Sequence, residues 1–187
     1  IWSPRSNIDL YGFTAPISAM ARAGIRIALG TDWTPSGSMN MGRELACADS
    51  YNRNNLGGFF SDYDLFRMVT IDAAGVVGAV GKLGELKVGY FADISIWNGK
   101  GKDAFDAVVH AQMGDTALVL RGGKVLGGES DVVSAMTGDD AGCEDVDVCG
   151  SASRLCVKRD TGKTIAELKA SLEAKIAAAS GHPPLYD

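Results

Sequence analysis

A chain of 187 residues, 46 % hydrophobic and 22 % charged, holds enough apolar material for one compact domain or one and a half small ones. Its formal net charge of −5 argues against nucleic acid, whose phosphates demand clustered Lys and Arg. No apolar run reaches the roughly 18–20 residues that a bilayer span needs, so a membrane partner is not expected. The chain opens on Ile1 rather than Met, and neither a charged n-region nor an apolar h-region precedes the first motif; the N-terminus reads as cut.

The first third alternates strand and helix. Thr14 can cap a helix, Pro16 suits its first turn, and Gly24 suits its end. Ile17, Met20 and Ala21 have helical spacing. Ile25-Arg26-Ile27-Ala28-Leu29 is short, apolar and rich in β-branched residues, and it stops at Gly30-Thr31-Asp32; it predicts a buried strand. A polar loop over 34–38 follows. Ser38 is placed to cap a helix over about 39–52, with Met41, Leu45 and Ala48 on one face and Cys47 upon it. Ser61 or Asp62 opens another helix, through Leu65, Phe66 and Val69 to about Val77. Strand, loop and helices in this order are the grammar of an α/β barrel or an open α/β sheet.

After Gly81 the texture changes. Leu86, the run 94–97, the run Ala107-Val108-Val109-His110 and the run 117–120 predict short strands. Gly122-Gly123 permits the positive φ angles of a tight hairpin turn into Val125-Leu126. Residues 1–81 thus read as one unit and 82–129 as a small all-β unit. Residues 130–163 are acidic, Gly-rich and contain three cysteines, and they read as irregular. Thr164 and Glu167 then have capping-box spacing. Ile165, Leu168, Leu172, Ile176 and Ala179 form one apolar stripe that Gly181 and Pro183-Pro184 would end.

The residues with chemical content centre on Leu29-Gly30-Thr31-Asp32-Trp33. A carboxylate directly after a buried strand sits at the strand's carboxyl end, where barrels hold their active sites. There it can bind a cation or act as a general base. Taken bare, Gly-Thr-Asp is equally a turn with a capping Asp.

In its order of motifs the chain resembles the amidohydrolase superfamily, and within it the deaminase and chlorohydrolase-like branch. Ser3-Pro4-Arg5-Ser6-Asn7 resembles the motif closing the seventh barrel strand. Gly30-Thr31-Asp32 and Ser36-Gly37-Ser38-Met39-Asn40 resemble the eighth strand and the loop after it, and Glu44-Leu45 the helix that follows. Ala73-Ala74, Gly78 and the run 84–94 resemble the passage into a small β-sandwich. The resemblance implies the last strands and helices of an eight-stranded (β/α)8 barrel joined to part of that sandwich. It implies that Asp32 contacts a divalent metal, most plausibly Zn²⁺, and takes a proton from the attacking water. It implies a small-molecule substrate with an amide, amidine or aminated ring, hydrolysed at a carbon–nitrogen bond. Ser6, Asn7, Trp33, Ser36 and Ser38 lie where substrate-facing loops would be, although Ser and Asn also make local backbone bonds in turns.

The chain departs from the family at the metal. The family needs several histidines, including a His-x-His pair, and this sequence has two, His110 and His182. Neither fits. Zinc sites use at least three protein ligands, so Asp32 would supply one and upstream strands the rest. The chain alone is therefore expected to lack turnover. A partial barrel leaves an open edge and an apolar face, costly at about 25 cal/mol per Å². A homo-oligomer, or a complementary chain supplying the missing segment, is expected to cover it. The run Ile71-Asp72-Ala73 also lacks the Asn-Pro that relatives often show. A non-catalytic binding or scaffold protein that kept the fold without the metal is the competing reading.

Cys143, Cys149 and Cys156 do not have zinc spacing. In an acidic segment with little core a local disulfide is a reasonable staple, which tilts the parent protein toward an exported or periplasmic location; reduced cytosolic thiols are the alternative.

Overall fold

The computed structural model describes residues 1–138 and 140–180. Two hydrophobic cores organise them. The first gathers Trp2, Ile17, Ile27, Leu29, Leu45, Ala48, Phe60, Leu65, Met68 and Val109. The second is smaller and gathers Leu118, Val133, Cys143 and Cys156.

The first core is wrapped by helices. α1 (Pro4–Tyr11) starts with proline in its first turn, where the missing N–H costs nothing, and ends on Gly12 at φ 72°. α2 (Ile17–Arg22) follows. Thr14 does not cap it. Its hydroxyl instead accepts the Trp2 indole N–H at 2.7 Å and donates to Asn7 Oδ1 at 3.1 Å.

The run 25–29 departs from the predicted strand. Ile27, Ala28 and Leu29 are buried and extended, but Ile25 is 49 % exposed, and a single parallel bridge, Trp2 to Leu29, takes the place of a ladder. Trp2 N–H donates to Ala28 O at 2.7 Å, and Gly30 N–H returns to Trp2 O at 2.9 Å. On its other side Leu29 N–H finds the carbonyl of Met68, a helix end rather than a strand. A buried parallel strand needs a neighbour on both edges, and among the described residues only one edge has it. The two segments are still parallel, and α1 and α2 connect them.

α3 (Met41–Asn55) begins two residues later than the sequence suggests. Asn40, not Ser38, caps it: Asn40 Oδ1 accepts Arg43 N–H at 2.9 Å. The helix predicted from Ser61 to Val77 is two helices, α4 (Asp62–Met68) and α5 (Ile71–Val76). Ser61 and Asp64 form a reciprocal capping box on α4. The break falls at Val69-Thr70, where the Thr70 hydroxyl bonds back to Phe66 O and its backbone leaves the helical region.

Two β predictions need correction. Leu86 is in no strand and is 83 % exposed. The run 107–110 is not a strand; it lies in and just after α6 (Ala104–Val109). β-branched residues lose to packing here. The Phe105 ring sits 4.8 Å from the Tyr63 ring and 5.1 Å from that of Phe66, so α6 docks along α4 while Val109 is fully buried. Where part of a small β-sandwich was expected, the described residues form one five-stranded antiparallel sheet.

That sheet holds β1 (Ile94–Trp97), β2 (Thr116–Arg121), β3 (Lys124–Glu129), β4 (Glu144–Val148) and β5 (Ser151–Leu155), in the order β1-β2-β3-β5-β4. A 3-10 turn, Met113–Asp115, leads into β2. Gly122 and Gly123, at φ 56° and 77°, make the expected tight turn between β2 and β3. Residues 130–163 are therefore not irregular. They contain α7 (Ser130–Thr137), which packs Val133 beneath the sheet, then β4, β5 and the one-turn α8 (Lys158–Thr161). A disulfide joins Cys143 to Cys156 inside the second core, leaving Cys149 exposed and free. Segmental composition hid these elements because alternating Glu, Asp and Val in β4 reads as charge rather than as an edge strand.

α9 (Ile165–Ser180) starts at the predicted capping box, with Glu167 N–H on Thr164 Oγ1 and Thr164 N–H on Glu167 Oε2. Glu144 Oε2 also accepts Ile165 N–H, tying this helix to β4. The predicted stop at Gly181 and Pro183-Pro184, and His182, lie outside the described residues.

Candidate active site

Two parallel segments carry their carboxyl ends to the same side, so whatever follows each one meets there. After Trp2 comes the first turn of α1 with Ser6. After Leu29 and Gly30 comes the turn with Asp32. Although 26 positions apart, they touch: Ser6 Oγ donates to Asp32 Oδ2 at 2.7 Å. Ser36 Oγ lies 2.9 Å from Ser6 Oγ. Ser6 is fully buried and Ser36 nearly so, whereas Asp32 is exposed.

The backbone at Asp32 is unusual. Its φ of 57° is left-handed, a region that few non-glycine residues enter and that Asp tolerates better than most. The turn is held from inside. Ser36 and Gly37 N–H groups donate to Trp33 O at 3.1 and 2.6 Å, and Ser38 N–H donates to Thr31 O at 3.2 Å. Such conformations persist where surrounding bonds over-determine them, and they concentrate at functional sites.

The helices behind the turn are locked to it. Glu44, in the first turn of α3, is fully buried; its Oε1 accepts Arg5 N–H at 3.2 Å. Arg5 Nε in turn donates to Ser38 Oγ at 2.8 Å. One carboxylate thus fixes the start of α1, and one guanidinium fixes the end of the Asp32 loop.

The sequence-predicted residues divide accordingly. Asp32, Ser6 and Ser36 form one hydrogen-bonded cluster. Ser38 is buried and its hydroxyl is taken by Arg5, so it braces the loop rather than facing outward. Asn7 is half-buried, with its carbonyl oxygen taken by Thr14. Trp33 is 65 % exposed beside Asp32. Glu44 and Arg5 were not singled out as site residues. Nothing in a sequence marks a carboxylate on one helix as the anchor of another helix 39 positions away.

A metal ion needs several ligands, and this cluster offers one carboxylate. Its donor chemistry fits a divalent cation as a single ligand: an exposed, hard oxygen pair with one oxygen engaged by a neutral hydroxyl. A separate group, Asp49, Asp62 and His110, has ligand atoms within 4.8 Å of one another. It was not predicted, and two of its members, Asp49 and His110, are already bonded to each other and to neighbours. His110 Nε2 lies 3.0 Å from Asp49 Oδ2, its Nδ1 lies 2.5 Å from Asp106 Oδ1, and Arg53 pairs with the same Asp49 oxygen. Burial alone would lower the proton affinity of His110, but the bonds to Asp106 and Asp49 outweigh it and hold its pKa above the usual histidine value. This cluster ties α3 to the end of α6.

Comparison with known proteins places these observations in a family. The 5-methylthioadenosine/S-adenosylhomocysteine deaminase of Syntrophomonas wolfei is 31 % identical over 134 residues, covering 66 % of this chain and 31 % of that protein. The structure of an adenosine deaminase from Xanthomonas campestris with bound zinc superposes with a TM-score of 0.60 at 22 % identity, covering 66 % of this chain and 30 % of its own. Atrazine chlorohydrolase of Arthrobacter aurescens in complex with zinc gives 0.55 at 27 % identity, covering 65 % and 29 %. The chain thus spans about a third of the length of the relatives it matches. A sequence model of the amidohydrolase family matches residues 4–126, about two thirds of the chain, and the chain belongs to that family.

Proposed function

We propose that the full-length protein is a metal-dependent hydrolase of carbon–nitrogen bonds acting on aminated rings of the purine kind, with Asp32 as its proton-transfer residue and one metal contact. The observation that carries this reading is the exposed Asp32 carboxylate at the shared carboxyl end of two parallel segments, gripped by a buried hydroxyl. The relatives support the substrate class, since the match from Syntrophomonas wolfei is a deaminase of adenine-containing compounds. Zinc in the solved deaminase and chlorohydrolase supports the choice of metal.

A bound zinc ion would supply Lewis acidity that lowers the pKa of water toward about 7. The residues of this chain do the rest. Asp32 accepts the proton of the attacking water and delivers it to the departing nitrogen, so that ring–NH₂ and water become ring–OH and ammonia. Glu44 and Arg5 hold the two loops in register while this happens. Trp33 offers an exposed indole face on which a planar ring can stack, worth about 0.5–1.5 kcal/mol beyond area burial.

The remaining two thirds of the full-length protein, or a complementary chain, would bring the other ligands, and a second copy is the other way to cover the expected apolar face. In this reading the 187 residues alone do not turn over. The Cys143–Cys156 disulfide supports an exported location, which fractionation of the native source would overturn by finding the protein only with cytosolic thiols.

The deciding experiment is metal analysis and ammonia release on the full-length protein, wild type against Asp32→Ala, with 5′-methylthioadenosine and adenosine as probes. Loss of turnover by about a thousandfold or more, with weakened zinc retention, is expected. Unchanged metal content and unchanged turnover in the variant would remove Asp32 from the mechanism. A full-length protein that holds no zinc would favour the scaffold reading instead.

A further inference from the structure

Most of the polar bonds around Asp32 serve to hold the loop, but one pair does not. Ser6 and Ser36 are buried hydroxyls bonded to each other, and Ser6 is bonded to the Asp32 carboxylate. A hydroxyl has one proton. Ser6 spends its proton on Asp32 Oδ2, a charge-assisted bond at 2.7 Å. The 2.9 Å contact between Ser6 and Ser36 must then run the other way, with Ser36 donating and Ser6 accepting. The alternative acceptor for Ser36, Trp33 O, lies 3.5 Å away, at the limit of a hydrogen bond. Direction is therefore fixed along the chain Ser36 to Ser6 to Asp32.

We infer that Ser6 and Ser36 are positioning residues that orient the Asp32 carboxylate toward the metal site, reserve its Oδ2 and leave Oδ1 as the oxygen that carries the proton. This rests on the role given to Asp32 above and adds to it which atom works and what selects it. Serine at position 36 was expected among the substrate-facing residues; its burial and its bond to Ser6 support this indirect part.

The proton balance gives the reason. When Oδ1 takes a proton from water, Oδ2 becomes the carbonyl oxygen of a carboxylic acid and still accepts from Ser6. No side chain has to turn. A proton placed on Oδ2 would instead face the Ser6 proton, and that buried hydroxyl would lose its acceptor, at a cost of desolvation. Two hydroxyls in series polarise each other, so removal of the outer one should weaken the inner bond without abolishing it. The scaffold that aims Ser6 is independent of Asp32: Pro4 starts α1, Glu44 holds Arg5 N–H, and the Trp2 bridge sets the strand before it.

The test uses the full-length, zinc-loaded protein, and its zinc-affinity arm needs no knowledge of the substrate. Zinc affinity is measured by chelator competition for wild type, S6A, S36A, D32A and the double variant S6A/D32A. Melting temperatures check that each is folded. S6A is expected to weaken zinc about 10- to 100-fold, the usual effect of losing a partner that orients a ligand. S36A is expected to weaken it about threefold. S6A on the D32A background is expected to add nothing. With 5′-methylthioadenosine as probe, S6A should lower kcat and leave KM within about twofold. The inference is overturned if D32A loses zinc affinity while S6A and S36A do not, or if S6A costs the same factor with and without Asp32. If S6A alone proves unstable, S36A decides: wild-type affinity in S36A refutes the relay. Undiminished zinc affinity in D32A would instead defeat the metal-contact role of Asp32, and the inference with it.

Discussion

Trp2 and Trp33 flank the same candidate site and have opposite surroundings, which makes replacing each with alanine a direct measurement of what holds the site together. Trp2 is 1 % exposed. Its indole N–H donates to Thr14, and its ring lies 6.1 Å from Tyr51 and 6.3 Å from Phe60. Removing a buried ring of roughly 150–250 Å² forfeits about 4–6 kcal/mol at 25 cal/mol per Å², an upper bound for an unfolded chain that is already partly compact. The lost hydrogen bond adds about 1 kcal/mol. Measured Trp-to-Ala losses in cores run about 3–5 kcal/mol, and we expect Trp2→Ala to fall in that range. Trp33 is 65 % exposed, and Trp33→Ala should cost less than about 0.5 kcal/mol. In urea, followed by far-UV circular dichroism, a loss of 4 kcal/mol at a slope near 2 kcal/mol/M moves the midpoint down by about 2 M. Coincident midpoints for the two variants would refute the placement of Trp2 at the heart of the first core.

Two further perturbations separate loop geometry from helix docking. A Cβ on Gly37 would run into the Thr31 carbonyl oxygen of the Asp32 turn, whereas one on Gly42 meets only Asn40 Oδ1 at 3.5 Å. Gly37→Ala should therefore cost about 1–3 kcal/mol and reduce zinc retention in the full-length protein, while Gly42→Ala, inside α3, should be neutral or slightly stabilising; equal melting temperatures and zinc contents would contradict this. For His110 the expectation is a pH dependence. Asp49 and Asp106 face its two nitrogens, Arg53 shares Asp49, Asp62 lies within the same cluster, and Lys102 donates to the His110 carbonyl. Its folded pKa is raised, so its stabilisation is complete below the unfolded value of about 6.5 and is lost as pH climbs through the folded value. The melting temperature should fall as pH climbs above about 6.5, and fall less in His110→Gln; parallel profiles would show that the imidazolium does not tie α3 to α6.

Local chemistry made much of the chain legible. The start of α4 at Ser61, the capping box at Thr164 and the Gly122-Gly123 turn follow from backbone rules that act over a few residues. The family motifs likewise singled out Asp32 as a candidate, because a short apolar run ending in Gly-Thr-Asp is a local pattern. Where long-range packing competes, those rules lose. Residues 107–109 have the composition of a strand and become helix because Phe105 and Val109 find α4 and the first core. The acidic stretch after Ser130 gains strands because a sheet edge and a disulfide are there to receive it.

By itself, then, the sequence determined the Ser61 and Thr164 helix starts and the Gly122-Gly123 turn and pointed to the aspartate as a candidate, each set by neighbours in the chain. Only the tertiary structure decided what that aspartate touches. Ser6 and Ser36 reach it because two segments lie parallel across the Trp2–Leu29 bridge, and Glu44 and Arg5 hold them there. These contacts span 26 to 39 positions, a distance over which only burial and closed hydrogen bonds, not residue spacing, select partners.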